Sequence, residues 1–162
     1  MPGEFYFMAI GGLGVTLAGF AGLIAALHGR EGGGHSPVAA WRIRNVVLEG
    51  FSVTFVGFAT VALHTLTQDL PLTVRLATAL LGLTQVARWP EMRPSAAWRD
   101  ERQRRSRIFI QAVFTATVLV NIAVASLGYL QLLLLISLSA PAGIFALAVR
   151  DVTRGDASST EG

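Results

Sequence analysis

The sequence predicts an all-α protein built as a five-transmembrane-helix bundle, N-terminus outside and C-terminus inside, and three observations carry that reading. Apolar residues make up 52% of the 162-residue chain and charged residues only 14%, a balance that belongs to membrane proteins. Five apolar stretches, at about residues 5–27, 45–66, 70–87, 108–126 and 129–149, approach the roughly 20 residues a helix needs to cross a hydrocarbon core of about 30 Å. The basic residues are all arginine, and every one except Arg75 falls in segments that five crossings place on a single side. Residues 1–150 then form one transmembrane domain, and residues 151–162, polar and small, a disordered cytoplasmic tail.

The first span is expected to organise the rest. Gly11, Gly14, Ala18, Ala21 and Ala25 recur at alternating spacings of three and four, which lines one helix face with small side chains. Gly14, Ala18, Gly22 and Ala26 make an adjoining row at spacing four, the pattern that lets a second backbone come close. This predicts a hub helix and a surface for homo-oligomer assembly. Glu4 precedes a full-length apolar run, whereas a secretory signal places positive charge before a shorter one, so the segment is expected to be retained.

Residues 28–44 read as a loop, because Gly32, Gly33, Gly34 and Pro37 interrupt a continuous helix. The second span has two faces. At about 100° per residue, Asn45, Glu49, Ser52, Thr60 and His64 gather on one side and Phe51, Phe55 and Phe58 on the other, the first for protein and the second for lipid. Residues 67–69 form a tight turn in which Asp69 caps the third helix, with Pro71 in its first turn. Arg75, Thr78, Gly82 and Gln85 are assigned to the buried face of that helix, and Leu76, Leu80 and Leu83 to lipid.

Residues 88–107 are an arginine-dense loop opening on Trp89-Pro90. Ser95 is placed to cap a helix entering the fourth span, supported by Asp100–Arg104 and Glu101–Arg105 pairs at spacing four. Leu127-Gly128 are expected to turn the chain into the fifth span. There Pro141 deprives the Ser137 carbonyl of its helical donor and should bend the axis.

Two signals orient the bundle. Arginine accumulates in residues 28–44, 88–107 and 150–162, which the positive-inside rule assigns to the cytoplasm. Aromatic residues agree without using charge: Trp41, Trp89 and Trp98 fall near inner ends, Tyr6 and Tyr129 near outer ends.

The run Leu17-Ala18-Gly19-Phe20-Ala21-Gly22-Leu23, the Arg42-x-Arg44 element followed by Glu49, and Asn121 with the following Tyr129-Leu130 are similar to those of small multi-span bacterial integral membrane proteins without an assigned role. The resemblance implies a multi-pass protein of the bacterial cytoplasmic (inner) membrane. It brings no activity, ligand or site residue.

A charge inside a membrane is a functional candidate by default, since it costs roughly 2.5–3.5 kcal/mol at a helix centre. Glu49 is the sharpest case. Paired with His28, at similar depth on the first helix, it would exchange protons near neutral pH, and Thr60 and His64 share its helix face. The structural alternative pairs Glu49 with Arg42 or Arg44, or sends it to the headgroups. His64, near the outer end, reads first as a neutral imidazole bonded to a backbone carbonyl or to Thr60. Arg75 is expected to form an outer-end ion pair with Glu4 or Asp69. Gln85, Gln111, Thr115 and Asn121 suit interhelical hydrogen bonds worth about 0.6 kcal/mol each, or the lining of a wet path.

Other classes are set aside by chemistry. Without cysteine there is no disulfide, thiolate nucleophile or cysteine metal site, and without lysine no Schiff base. The arginines of residues 88–107 alternate with acids and suggest no nucleic-acid partner. They suit anionic inner-leaflet lipids, at about 1 kcal/mol per arginine. No metal-binding histidine spacing, nucleophile elbow or phosphate loop is present, so neither enzyme activity nor a cofactor is expected. The sequence thus points to an accessory or scaffold protein whose partners are the bilayer and a second copy or another membrane protein. The alternative is a small ion or proton channel using Glu49, His28 and His64.

Overall fold

The computed structural model describes the backbone of residues 1–30, 37–87 and 101–159, and the side chains of residues 1–26, 42–87 and 108–146. Its five helices are α1 (Glu4–Arg30), α2 (Pro37–Thr67), α3 (Leu70–Ala87), α4 (Glu101–Val124) and α5 (Leu127–Ser159). Among the described residues, Glu4–Ala26, Arg42–Thr67, Leu70–Ala87 and Leu127–Ala146 are long and apolar enough to cross a membrane. The apolar part of α4, Ile108–Val124, is shorter, because the helix opens on the arginine-rich residues 101–107.

The helices overrun the expected spans. α1 continues to Arg30 and α2 starts at Pro37, so most of the expected loop at 28–44 is helical. Proline suits a first turn, where its missing N–H would have no helical partner anyway. α5 runs on to Ser159 through the segment expected to be a disordered tail. Adding a residue to an existing helix fixes one backbone unit per hydrogen bond, which is far less costly than starting a helix.

Both short connections turn through the left-handed region, at Gln68 (φ 55°) and Ala125 (φ 56°). In the first, Asp69 Oδ1 accepts the Leu72 N–H at 3.0 Å, the N-cap its sequence position predicts. The second lies at Ala125-Ser126, not at Leu127-Gly128, which belong to the first turn of α5. Asn121 displaces it: its carbonyl oxygen accepts the Ala125 N–H at 2.7 Å and its side-chain Oδ1 the Ser126 N–H at 3.0 Å, ending α4 early.

The packing centre is α2, which meets α1, α3 and α5 and shares its most extensive seam with α1. α5 reaches every other helix, but along narrower seams. α1 meets only α2 and α5 among the described residues, which corrects the expectation of a hub at the first helix. A stripe of small residues marks one close approach and says nothing about how many neighbours a helix has. The outer side of α1, with Met8, Leu13, Val15, Phe20 and Leu23, is exposed.

The α1–α2 approach is antiparallel and backbone to backbone. A β-carbon on Gly14 would lie 2.5 Å from the Gly50 carbonyl oxygen, and one on Gly50 2.5 Å from the Gly14 oxygen. One turn away, Thr54 Oγ1 donates across the interface to the Gly11 carbonyl at 2.8 Å. Gly57 sits against the Phe7 carbonyl, 2.9 Å from where its β-carbon would be. Beside this seam the core is apolar: Phe7, Ile10, Val53, Val56, Val74, Ala77, Leu81, Val118, Leu130, Leu133, Leu134 and Leu138 form one cluster.

α5 closes the bundle beside α1. Tyr6 Oη donates to the Gln131 carbonyl at 2.5 Å, and the Phe20 and Phe145 rings lie 6.4 Å apart. Both pairs have the same sequence offset, so α1 and α5 run parallel. α4 is the edge helix, meeting α3 and α5, with Val118 seated over Gly82. Pro141 lies inside α5 and is buried. One turn earlier, the Ser137 hydroxyl is buried with no hydrogen-bond partner among the described residues.

Candidate functional site

Buried side chains hydrogen-bonded across helices, side chain to side chain, occur at two levels. At the level away from the short turns, Gln85 of α3 donates through Nε2 to Glu49 Oε1 at 2.9 Å, and each residue is 8% exposed. The α2–α3 hairpin brings them together. Glu49 directly precedes Gly50, a residue of the close α1–α2 approach. Arg42, Arg44 and Asn45 precede it on α2 by between one and two turns. The side chain of His28 lies outside the described residues, and so does the expected Glu49–His28 pair.

The other level lies near the turns. Asn121, fully buried, donates through Nδ2 to Thr78 Oγ1 at 2.9 Å while its Oδ1 holds the Ser126 N–H. One side chain thereby joins α3, α4 and the start of α5. Thr73 Oγ1 donates to the Asp69 carbonyl at 2.6 Å, lies 2.9 Å from Thr67 Oγ1 and 3.5 Å from His64 Nδ1. His64 therefore meets the Thr73 hydroxyl, and among the described residues no hydrogen bond joins it to Thr60. The Thr60 hydroxyl turns back on its own helix and donates to the Val56 carbonyl at 2.7 Å.

Glu49, Thr60 and His64 do not form one site. They share a helix face, but eleven and fifteen residues of α2 separate Thr60 and His64 from Glu49, about 16 and 22 Å along the axis. Between these levels stand Val53, Val56 and Leu81, all fully buried, together with the buried Thr54. Periodicity reports the angle around a helix and is silent on depth. Among the described residues no three histidine, aspartate or glutamate side chains converge to ligate a metal.

The expected outer-end ion pairs are not formed. Glu4 Oε2 accepts the N-terminal ammonium at 3.2 Å, and Asp69 is engaged as the α3 cap. Arg75 is exposed and makes no hydrogen bond or ion pair among the described residues. Six residues separate it from Asp69, which turns it about 240° around the axis. The buried face of α3 is Thr73, Val74, Ala77, Thr78, Leu81 and Gln85. Arg75 falls outside this face, against expectation, while Leu76 and Leu83 are exposed as expected.

In the small-residue stripe of α1, Gly11, Gly14, Ala18 and Ala21 are buried and Ala25 is half-buried. Gly22 is exposed, and a β-carbon added there would meet nothing within 4 Å, so the adjoining row does not continue the interface past Ala18. Gly50, Thr54 and Gly57, the matching row on α2, were not foreseen in the sequence. Their spacings of four and three were the available signal.

No family model matches the chain, and no curated protein or solved structure matches it either.

Proposed function

We propose that this chain is an accessory or scaffold protein of a bacterial cytoplasmic membrane, crossing it five times with the N-terminus outside and the C-terminus inside. Four described helices have the length and composition of spans, and α4 supplies the fifth crossing with its arginine-rich start at the inner surface. The short α2–α3 and α4–α5 turns then lie outside. The bilayer and its anionic inner-leaflet lipids are its surroundings, and another membrane protein or a second copy is its partner.

The observation that carries the scaffold reading is the interior itself. Its polar groups are joined in short, local hydrogen bonds: Glu49 with Gln85, Thr54 with Gly11, Asn121 with Thr78. Each pair bridges two helices, and the fully buried Val53, Val56 and Leu81 stand between the Glu49–Gln85 and Asn121–Thr78 pairs. Such pairs specify which helix faces meet, which apolar side chains alone do poorly because lipid tails are as apolar as leucine. A conduit needs polar groups in succession along the axis. Here Thr54, which lies between those pairs, turns its hydroxyl to the Gly11 and Gly50 carbonyls.

The test is a flux assay. Purified protein reconstituted in liposomes should carry no proton or ion current above empty vesicles, and Glu49→Gln should alter thermal stability alone. A proton flux that Glu49→Gln abolishes in folded protein would establish the channel alternative and reject the scaffold.

A further inference from the structure

Arg75 stands five residues into α3, about 8 Å from the helix start. It is exposed, and its neighbours on the same arc are Leu72, Leu76, Leu83 and Val86, themselves 42, 41, 63 and 61% exposed. A guanidinium on an apolar, outward-facing arc has no reason to be there for packing. Nor is it held by protein: it has no partner among the described residues, and the two carboxylates expected to meet it are occupied elsewhere.

Direction adds a second constraint. In an α-helix the Cα–Cβ bond tilts toward the N-terminus. Arg75 is near the N-terminus of α3, so its side chain leans toward the surface where the α2–α3 turn lies, and its long stem lets the head group snorkel there. What meets a guanidinium at that height is a phosphate. The planar fork of donors matches two phosphate oxygens at once.

We infer that Arg75 and the adjoining outward arc of α3 hold a phospholipid of the leaflet on the turn side, the guanidinium on the lipid phosphate and an acyl chain along Leu76, Ala79 and Leu83. A soluble anion would satisfy the charge and leave the apolar arc uncovered; a phospholipid matches both. Ala79, exposed and short, keeps the surface beside Arg75 low enough for a chain to lie on it. This site rests on the membrane placement proposed above and concerns the opposite leaflet from the arginine-rich segments.

Alkaline carbonate extraction of membranes comes first: release of the wild-type chain would overturn the membrane placement, and this site with it. With the chain retained, native mass spectrometry in mild detergent then compares phosphatidylglycerol, a diacylglycerol of the same chains, and inorganic phosphate. Wild type should retain phosphatidylglycerol in preference to both others. Arg75→Gln should cut that retention about tenfold, the scale of one charge-assisted hydrogen bond, with an unchanged melting midpoint. Arg75→Lys, which keeps charge but loses the fork, should fall between and carries the comparison should Arg75→Gln fold poorly. Retention unchanged in both variants, or diacylglycerol or inorganic phosphate held as well as phosphatidylglycerol, would overturn the inference while leaving the membrane placement standing.

Discussion

Gly14 and Gly50 present their carbonyl oxygens to each other's α-carbons, and a β-carbon on either would come within 2.5 Å of the opposite oxygen. Contact of this kind is reciprocal and rigid, because both obstructing atoms are backbone. Only translation or tilting of a whole helix can relieve a clash there.

Gly14→Ala or Gly50→Ala should therefore lower stability by about 1–3 kcal/mol, the usual cost of overpacking. Gly12 and Gly19 lie on α1 with open space around them. Alanine there should be neutral or stabilising by up to about 1 kcal/mol through helix propensity. Thermal unfolding followed by circular dichroism in detergent separates the two outcomes, and equal effects at all four positions would contradict the interface.

The Glu49–Gln85 hydrogen bond predicts a coupling. Glu49→Leu leaves the Gln85 amide buried without its acceptor and should cost about 1–3 kcal/mol. Replacing both residues by leucine should cost less than the sum of the single changes, the signature of a direct contact in a double-mutant cycle. Strict additivity in denaturation midpoints would show that the two side chains do not interact.

Ala125 occupies a left-handed conformation at φ 56°, where a β-carbon is unfavourable. Ala125→Gly should raise stability by about 0.5–1 kcal/mol after allowing for the extra freedom of glycine in the unfolded chain. Ala125→Val should lower it. A melting temperature that falls for the glycine variant would show that the α4–α5 turn adopts another geometry.

Ser137 carries a buried hydroxyl with no partner among the described residues. Ser137→Ala removes a desolvated polar group at little cost in volume and should stabilise by about 1 kcal/mol. Destabilisation of that size in a chemical or thermal melt would mean that the hydroxyl is hydrogen-bonded in the membrane.

Much of this architecture is legible in the sequence where one residue type has one physical use. Asp69 ahead of Pro71 marks a helix start, and the three-and-four spacing of Gly11, Gly14 and Ala18 marks a close approach. The outward side of α2 is equally plain in Phe51, Phe55 and Phe58, all exposed. What fails is anything that depends on how a helix is rotated against its neighbours. Thr78 and Arg75 differ by only about 60° around α3, yet the edge of the buried arc passes between them. The partner of Glu49 was hidden for the same reason, since Gln85 lies on another helix and its depth depends on how the α2–α3 hairpin is staggered. Thr60 illustrates a subtler failure. A hydroxyl on a polar face can turn inward to its own backbone and withdraw from that face altogether.

The parallel pairing of α1 with α5, tied by Tyr6 to Gln131 and by Phe20 to Phe145, has a bearing on biogenesis. Each of the helix contacts between chain neighbours can form as soon as its hairpin leaves the ribosome. This seam joins the first of the five helices to the fifth, so one flank of α1 stays uncovered until α5 has been made.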